Sequence, residues 1–238
     1  MKKLIAIINA DADSKLPKII GHYEPGYMYG NPKIHKNSTN PPLRPIVSQV
    51  GTATYSTAKW INSIIIPYLP KHFQIDSTYD FIEISRTIVE PKMLASLDVE
   101  NLFTNVPVAE TIQIILDNVY QHSVLPPPRH VPRVIMEQLL LICTTKTPFR
   151  TPNGELYVQC DGVSMGSPLG PTLANFYMCD LENITFSNNP SLKPPVYCRY
   201  HVVKNISSQD SSDVSLCVAV YSPFSVSQQR DSLSVCFG

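Results

Sequence analysis

Apolar residues along the chain fall into a few runs of recognisable period. From Thr52 to Leu69, Tyr55, Ala58, Ile61 and Ile65 recur at helical spacing and Pro67 and Pro70 close the run, which predicts an amphipathic helix. Ile112, Ile115, Leu116 and Val119 make a second stripe, predicting a helix over about 109–121, and a third helix is expected over about 133–144. Lys92 to Val99 has a different period: Met93, Ala95 and Leu97 alternate with Leu94, Ser96 and Asp98, as in a strand. Short apolar pieces, Lys33 to His35 and Leu43 to Val47, flank a polar, proline-rich centre and predict a loop between two extended strands. Asn153-Gly154 stands between Phe149 and the run Leu156, Tyr157, Val158. That dipeptide supplies the positive φ of a hairpin turn, so two antiparallel strands are expected. Gly166, Gly170 and Pro171 then lead into a helix from about Pro171. Their loop is expected to present free N–H groups able to hold a phosphate or a base pair, against the plainer reading of a glycine-rich helix start. Strands and helices without strict alternation predict an α+β fold.

Composition changes this picture at two places. The whole chain is neutral, with 19 basic and 19 acidic residues, but residues 28–60 carry Lys33, Lys36, Arg44 and Lys59 and no acid. Residues 76–100 hold six acids against two bases. A basic segment near an acidic one suits a phosphate-handling site with metal-binding carboxylates; a solvated basic loop is the plainer account. The second place is Tyr200. Residues 1–200 contain 21 prolines and 13 serines, whereas the 38 residues after Tyr200 contain one proline and ten serines, a shift typical of a domain edge or splice. No run approaches the roughly 18 apolar residues of a membrane helix. The six cysteines form no Cys-x-x-Cys pair and the histidines no ligand cluster, which argues against zinc.

Three ordered stretches narrow the reading: YGNPKIHK with LRPIVS, then SLDVENLFTNVP, then QCDGVSMGSPLGPTLANFYM. Together they resemble the reverse transcriptases of Penelope-like retroelements over about residues 27–200. The resemblance implies a partial right-hand polymerase fold of fingers and palm without a thumb. Residues 1–26 would be an N-terminal segment, 27–91 fingers-like, 92–200 palm-like, and 201–238 an unrelated, poorly ordered serine-rich tail. It also implies RNA-directed DNA synthesis from an RNA template, a DNA primer and deoxynucleoside triphosphates, inside the cell, in nucleus or cytoplasm.

The residue types fit that chemistry. Primer extension uses two Mg²⁺ ions about 4 Å apart, held by hard oxygen ligands, to stabilise attacking and leaving oxygens. By resemblance Asp98 is the first metal-binding aspartate, with the Val99 carbonyl beside it. Phe103 matches an aromatic gate whose ring would collide with a ribose 2′ hydroxyl, and ordinary core packing is its other reading. Arg44 matches the fingers arginine, and Lys33 and Lys36 stand near where a lysine would meet the triphosphate. Gly166, Ser167 and Pro168 match the segment packed against template and nascent base pair. Asp161, Asp180 and Glu182 match no such role, and a helix-start acid or a solvated helix face accounts for them better.

The family completes its metal site with an aromatic-x-Asp-Asp turn after a strand resembling VYCRY. Here Tyr200 is followed by His201, Val202 and Val203, and no two aspartates are adjacent anywhere in the chain. Three readings stand: a reverse transcriptase domain inactive without that pair, a non-catalytic nucleic-acid-binding remnant, and an unrelated soluble α+β protein. In the tail, 216–221 and 233–237 are apolar enough for edge strands.

Overall fold

The computed structural model describes residues 23–34, 39–88, 93–99, 101–201 and 215–221. Its chain divides into two compact units, each built from two separated stretches. The first takes Met1–Leu69 with Leu102–Met178, the second Pro70–Asn101 with Cys179–Gly238.

In the first unit, β1 (Gly26–Pro32) and β2 (Leu43–Ser48) form an antiparallel hairpin with Tyr29 opposite Ile46 and Asn31 opposite Arg44. The first of these strands begins upstream of the predicted piece, so Lys33 stands just past it, its N–H donating to Pro42 O at 2.9 Å to close the hairpin. The apolar run in the sequence starts with the aromatic residues of GYMYG, which pair just as well as Ile34. Pro45 is tolerated because β2 is an outer strand, where a missing ladder donor costs least. β5 (Pro148–Arg150) and β6 (Leu156–Val158) are the hairpin signalled by Asn153-Gly154, and Gly154 has a φ of 86°. The sheet order is β2-β1-β5-β6, with β5 parallel to β1.

Three helices supply this unit's core: α1 (Tyr55–Ile65), α4 (Val108–Tyr120) and α5 (Arg133–Thr144). Each buries the stripe its period predicts, with Ala58, Ile61 and Ile65 of α1, Ile112, Ile115 and Leu116 of α4, and Met136, Leu139 and Leu140 of α5 removed from solvent. α4 and α1 both pack on α5. Pro67 converts the end of α1 into a 3-10 turn over Ile66–Tyr68, since proline cannot continue the helical ladder. Short α3 (Leu102–Asn105) precedes α4, and α6 (Gly170–Asn188) starts here and ends in the second unit.

The second unit is a four-stranded sheet in the order β3-β7-β8-β4. It comprises β3 (Gln74–Ile75), β4 (Met93–Asp98), β7 (Val196–His201) and β8 (Ser215–Tyr221). β8 comes from the serine-rich tail, yet it lies in the sheet interior, antiparallel to both β7 and β4. That corrects the expectation of an edge strand there; the tail's other apolar piece, 233–237, lies outside the described residues. α2 (Thr78–Arg86), not expected from the sequence, starts at a capping box in which Ser77 and Asp80 satisfy each other's backbone N–H.

Candidate functional site

Within the first unit, the loop before α6 is pressed onto β2. Gly166 forms a parallel bridge with Ser48, and a Cβ placed on it would come within 2.2 Å of Val47 O. No side chain fits there, so glycine is required by close backbone approach. Ser164 Oγ donates to the same Val47 carbonyl at 2.7 Å. The loop then closes on itself: the amides of Ser167 and Gly170 donate to Ser164 O and Ser167 O, both at 3.1 Å, and Leu169 N donates to Ser167 Oγ at 3.3 Å. These amides are therefore engaged, which corrects the expectation of a cradle of free N–H groups. Ser167 and Pro168 are buried.

Phe103, in α3, is also buried, and its carbonyl accepts from Val163 N at 2.7 Å. Its ring lies 3.6 Å from where a Cβ on Gly170 would stand. Arg44 is half-buried in β2, on the strand that carries the Gly166 contact, and Lys33 is half-buried at the end of β1. The structure thus brings Phe103, Gly166, Ser167 and Pro168 together at the loop before α6, while Arg44 lies further along β2, three residues before Val47. Lys36 lies outside the described residues. Asp161 is a helix-start acid, as expected, its Oδ1 accepting from Gly162 N at 2.8 Å and from Val108 N, the first residue of α4, at 3.4 Å.

In the second unit the ladder register places Asp98. Leu216 of β8 pairs with Asp98 of β4 on one side and with Tyr200 of β7 on the other. Asp98, the last residue of β4, and Tyr200, one residue before the end of β7, therefore lie at the same end of the sheet, two strand spacings or about 10 Å apart. Val99 follows immediately. The connection from β7 to β8, which holds Asp210 and Asp213, lies outside the described residues. Among the described residues no group of three or more His, Cys, Asp or Glu is placed to hold a metal ion. Mg²⁺ in such sites takes one or two carboxylates from the protein and its other oxygens from phosphates and water; among the described residues Asp98 and the Val99 carbonyl are the positions that the resemblance assigns to it.

The sequence reading missed a buried polar cluster beneath this sheet. Arg199 of β7 is 0% exposed, and its Nε donates to Glu182 Oε1 of α6 at 2.8 Å. Tyr197 Oη donates to the same oxygen at 3.0 Å, and Arg199 Nη2 to Cys179 Sγ at 2.9 Å. Arg199 N donates to Phe73 O at 2.7 Å, while Phe73, Phe186 and Tyr197 meet edge to face at 5.0–5.4 Å. Burial pushes the Glu182 carboxyl above its ordinary range, with the Arg199 guanidinium and the hydrogen bonds of Arg199 and Tyr197 pulling it back. Burial likewise raises the Cys179 thiol. Glu182 is thus no solvated helix-face acid. The signal was present: Cys179, Glu182 and Phe186 share a helical stripe, and Tyr197 and Arg199 a strand face.

No protein-family profile matches the chain, and no curated protein matches it. Solved structures do. Telomerase from Candida albicans in complex with the TWJ fragment of telomeric RNA is 11% identical with a TM-score of 0.54, over 92% of this chain and 42% of that one. Apo telomerase from Candida tropicalis truncated from its C-terminal domain is 9% identical with a TM-score of 0.50, over 84% and 45%. The chain spans less than half the length of these telomerases. At such identities the likeness is one of fold, and the fold is reverse-transcriptase-like. Among the described residues no helix is long and apolar enough to cross a membrane.

Proposed function

We propose that this chain is a reverse transcriptase domain of the Penelope-like retroelement kind, holding nucleic acid but not polymerising it as it stands. The observation that carries the reading is the sheet register of the second unit. Asp98 and the strand VYCRY end at the same end of one sheet, with β8 between them, within a reverse-transcriptase-like fold; the family keeps its first aspartate and its aromatic-x-Asp-Asp turn on such a sheet. Residues 27–91 would serve as fingers and 92–200 as palm. Arg44, Lys33 and Lys36 would meet the triphosphate, and Gly166, Ser167 and Pro168 would back the template base pair; Phe103, the match to the family's ribose gate, is buried in the core as it stands. Asp98 and Val99 are the positions that would face Mg²⁺. With no adjacent aspartate pair in the chain, the ions would be held weakly, and the loss of their positioning removes most of the rate.

What remains is binding. The telomerase relatives include structures with telomeric RNA, which supports nucleic acid as the partner class. The basic, acid-free segment from 28 to 60 would neutralise phosphates and release counterions, so affinity should fall steeply with salt. Primer extension with Mg²⁺ on an RNA template and DNA primer tests both halves. The expected result is no template-dependent product, together with salt-dependent binding of the primer–template in a filter assay. Template-dependent synthesis that Asp98→Ala abolishes would overturn the inactive reading. Absence of any binding would overturn the nucleic-acid reading itself.

A further inference from the structure

One face of the first unit's sheet presents rings and cations together. Side chains alternate along a strand, so Tyr27, Tyr29 and Asn31 of β1 share a face. Directly opposed residues on neighbouring strands share a face too. The register therefore adds Ser48, the buried Ile46 and Arg44 of β2, opposite Tyr27, Tyr29 and Asn31, and continues the row from Tyr27 through Arg150 of β5 to Leu156 of β6, so that the open part of the face runs along β1, β5 and β6. Tyr27 and Tyr29 are 52% and 43% exposed, and Leu156 is 59% exposed. Single exposed apolar residues are ordinary on a protein surface, but two half-exposed tyrosines at alternate positions of one strand set two rings on the same face. No Asp or Glu occurs in any of the four strands, so the fixed charge of this face is positive.

We propose that this face is a platform for single-stranded nucleic acid, with bases stacking on Tyr27 and Tyr29 and phosphates meeting Arg150. Every base has a π face and every nucleotide an anionic phosphate, so alternating rings and guanidiniums hold a strand with little regard to sequence. A duplex keeps its bases stacked on one another and offers the rings nothing. The inference rests on the nucleic-acid reading above and adds to it the strandedness of the ligand and the residues that grip it.

The test is fluorescence anisotropy with the full 238-residue chain. The probes are a labelled oligouridylate, the matching oligodeoxythymidylate and a blunt duplex of equal length. Both single strands should bind more tightly than the duplex, and the tighter of the two identifies RNA or DNA as the source. Tyr27→Ala and Tyr29→Ala should each weaken binding about 5- to 100-fold with the salt slope unchanged, whereas Tyr27→Phe keeps the affinity. Arg150→Gln should lower the salt slope by about 0.7, one phosphate contact on a single strand. Tyrosine variants that bind like the parent, or a duplex bound as tightly as the single strands, would overturn the platform and leave the nucleic-acid reading standing. No binding of any probe would overturn both.

Discussion

Cys143 lies in the core of the first unit, on α5, with its Sγ 3.9 Å from Thr54 O of the chain leading into α1. Burial pushes this thiol from its ordinary value of 9.0 up to about 12, because a thiolate there would lose its hydration. The native state then binds the proton more tightly than the unfolded chain does. The sign of the linkage follows: the contribution to stability is complete below about pH 9 and is lost as pH rises towards about 12. Cys143→Ala should lower stability near neutrality by about 1 kcal/mol, yet decline less steeply through the alkaline range. Melting temperatures of both proteins between about pH 8 and 12 check this. Some decline should remain, since burial also raises Tyr120 to about 12; curves that stay parallel would exclude Cys143 as a source. A thiol's core place was legible from its position on an apolar helix. For Glu182 the stripe it shares with Cys179 and Phe186 was a signal but not enough, because an acid on a helix is buried only when a cation arrives from elsewhere, and Arg199 is 17 residues away on another element.

Elements with a strong local period were legible for the same reason they are stable: α1, α4 and α5 bury the residues that define their stripes. α2 is short and buries no residue fully, so packing does not mark it as it marks the others, although Ser77 and Asp80 gave a capping signature. How β7 is held on α6 depends on long-range chemistry, and that can be measured. Arg199 and Glu182 are 0% and 4% exposed as side chains. Removing one partner of such a pair leaves the other as an uncompensated buried charge, at a cost of about 3–5 kcal/mol, whereas replacing both by apolar groups can be nearly neutral. Arg199→Met alone should therefore shift the urea midpoint strongly, and Arg199→Met with Glu182→Leu should restore most of it. Additive losses in the double-mutant cycle would mean that the two charges are not coupled. The hydrogen bonds that Tyr197 and Cys179 also make to this pair keep full restoration from being expected.

At the scale of the whole molecule, the seam at Tyr200 was legible as a change of composition, but its structural consequence was not. Strand order depends on pairings distant in sequence, and nothing local in Ser215–Tyr221 says that it lies between β7 and β4. Asp98 and Tyr200 come to the same end of the sheet only because both pair with Leu216. The tail strand β8 thus ties β4 to β7. A proline at an interior strand position removes a ladder donor and is excluded by its ring from regular pairing. Val218 lies at the middle of β8, opposite Cys198 on one side and Ser96 on the other. Val218→Pro should therefore abolish slow amide exchange in β4 and β7 while leaving the protected amides of α1, α4 and α5, which belong to the other compact unit. Hydrogen exchange followed residue by residue distinguishes the outcomes. Protection retained in β4 and β7 would show that they are held without β8, and loss of protection throughout would show that the two units unfold as one.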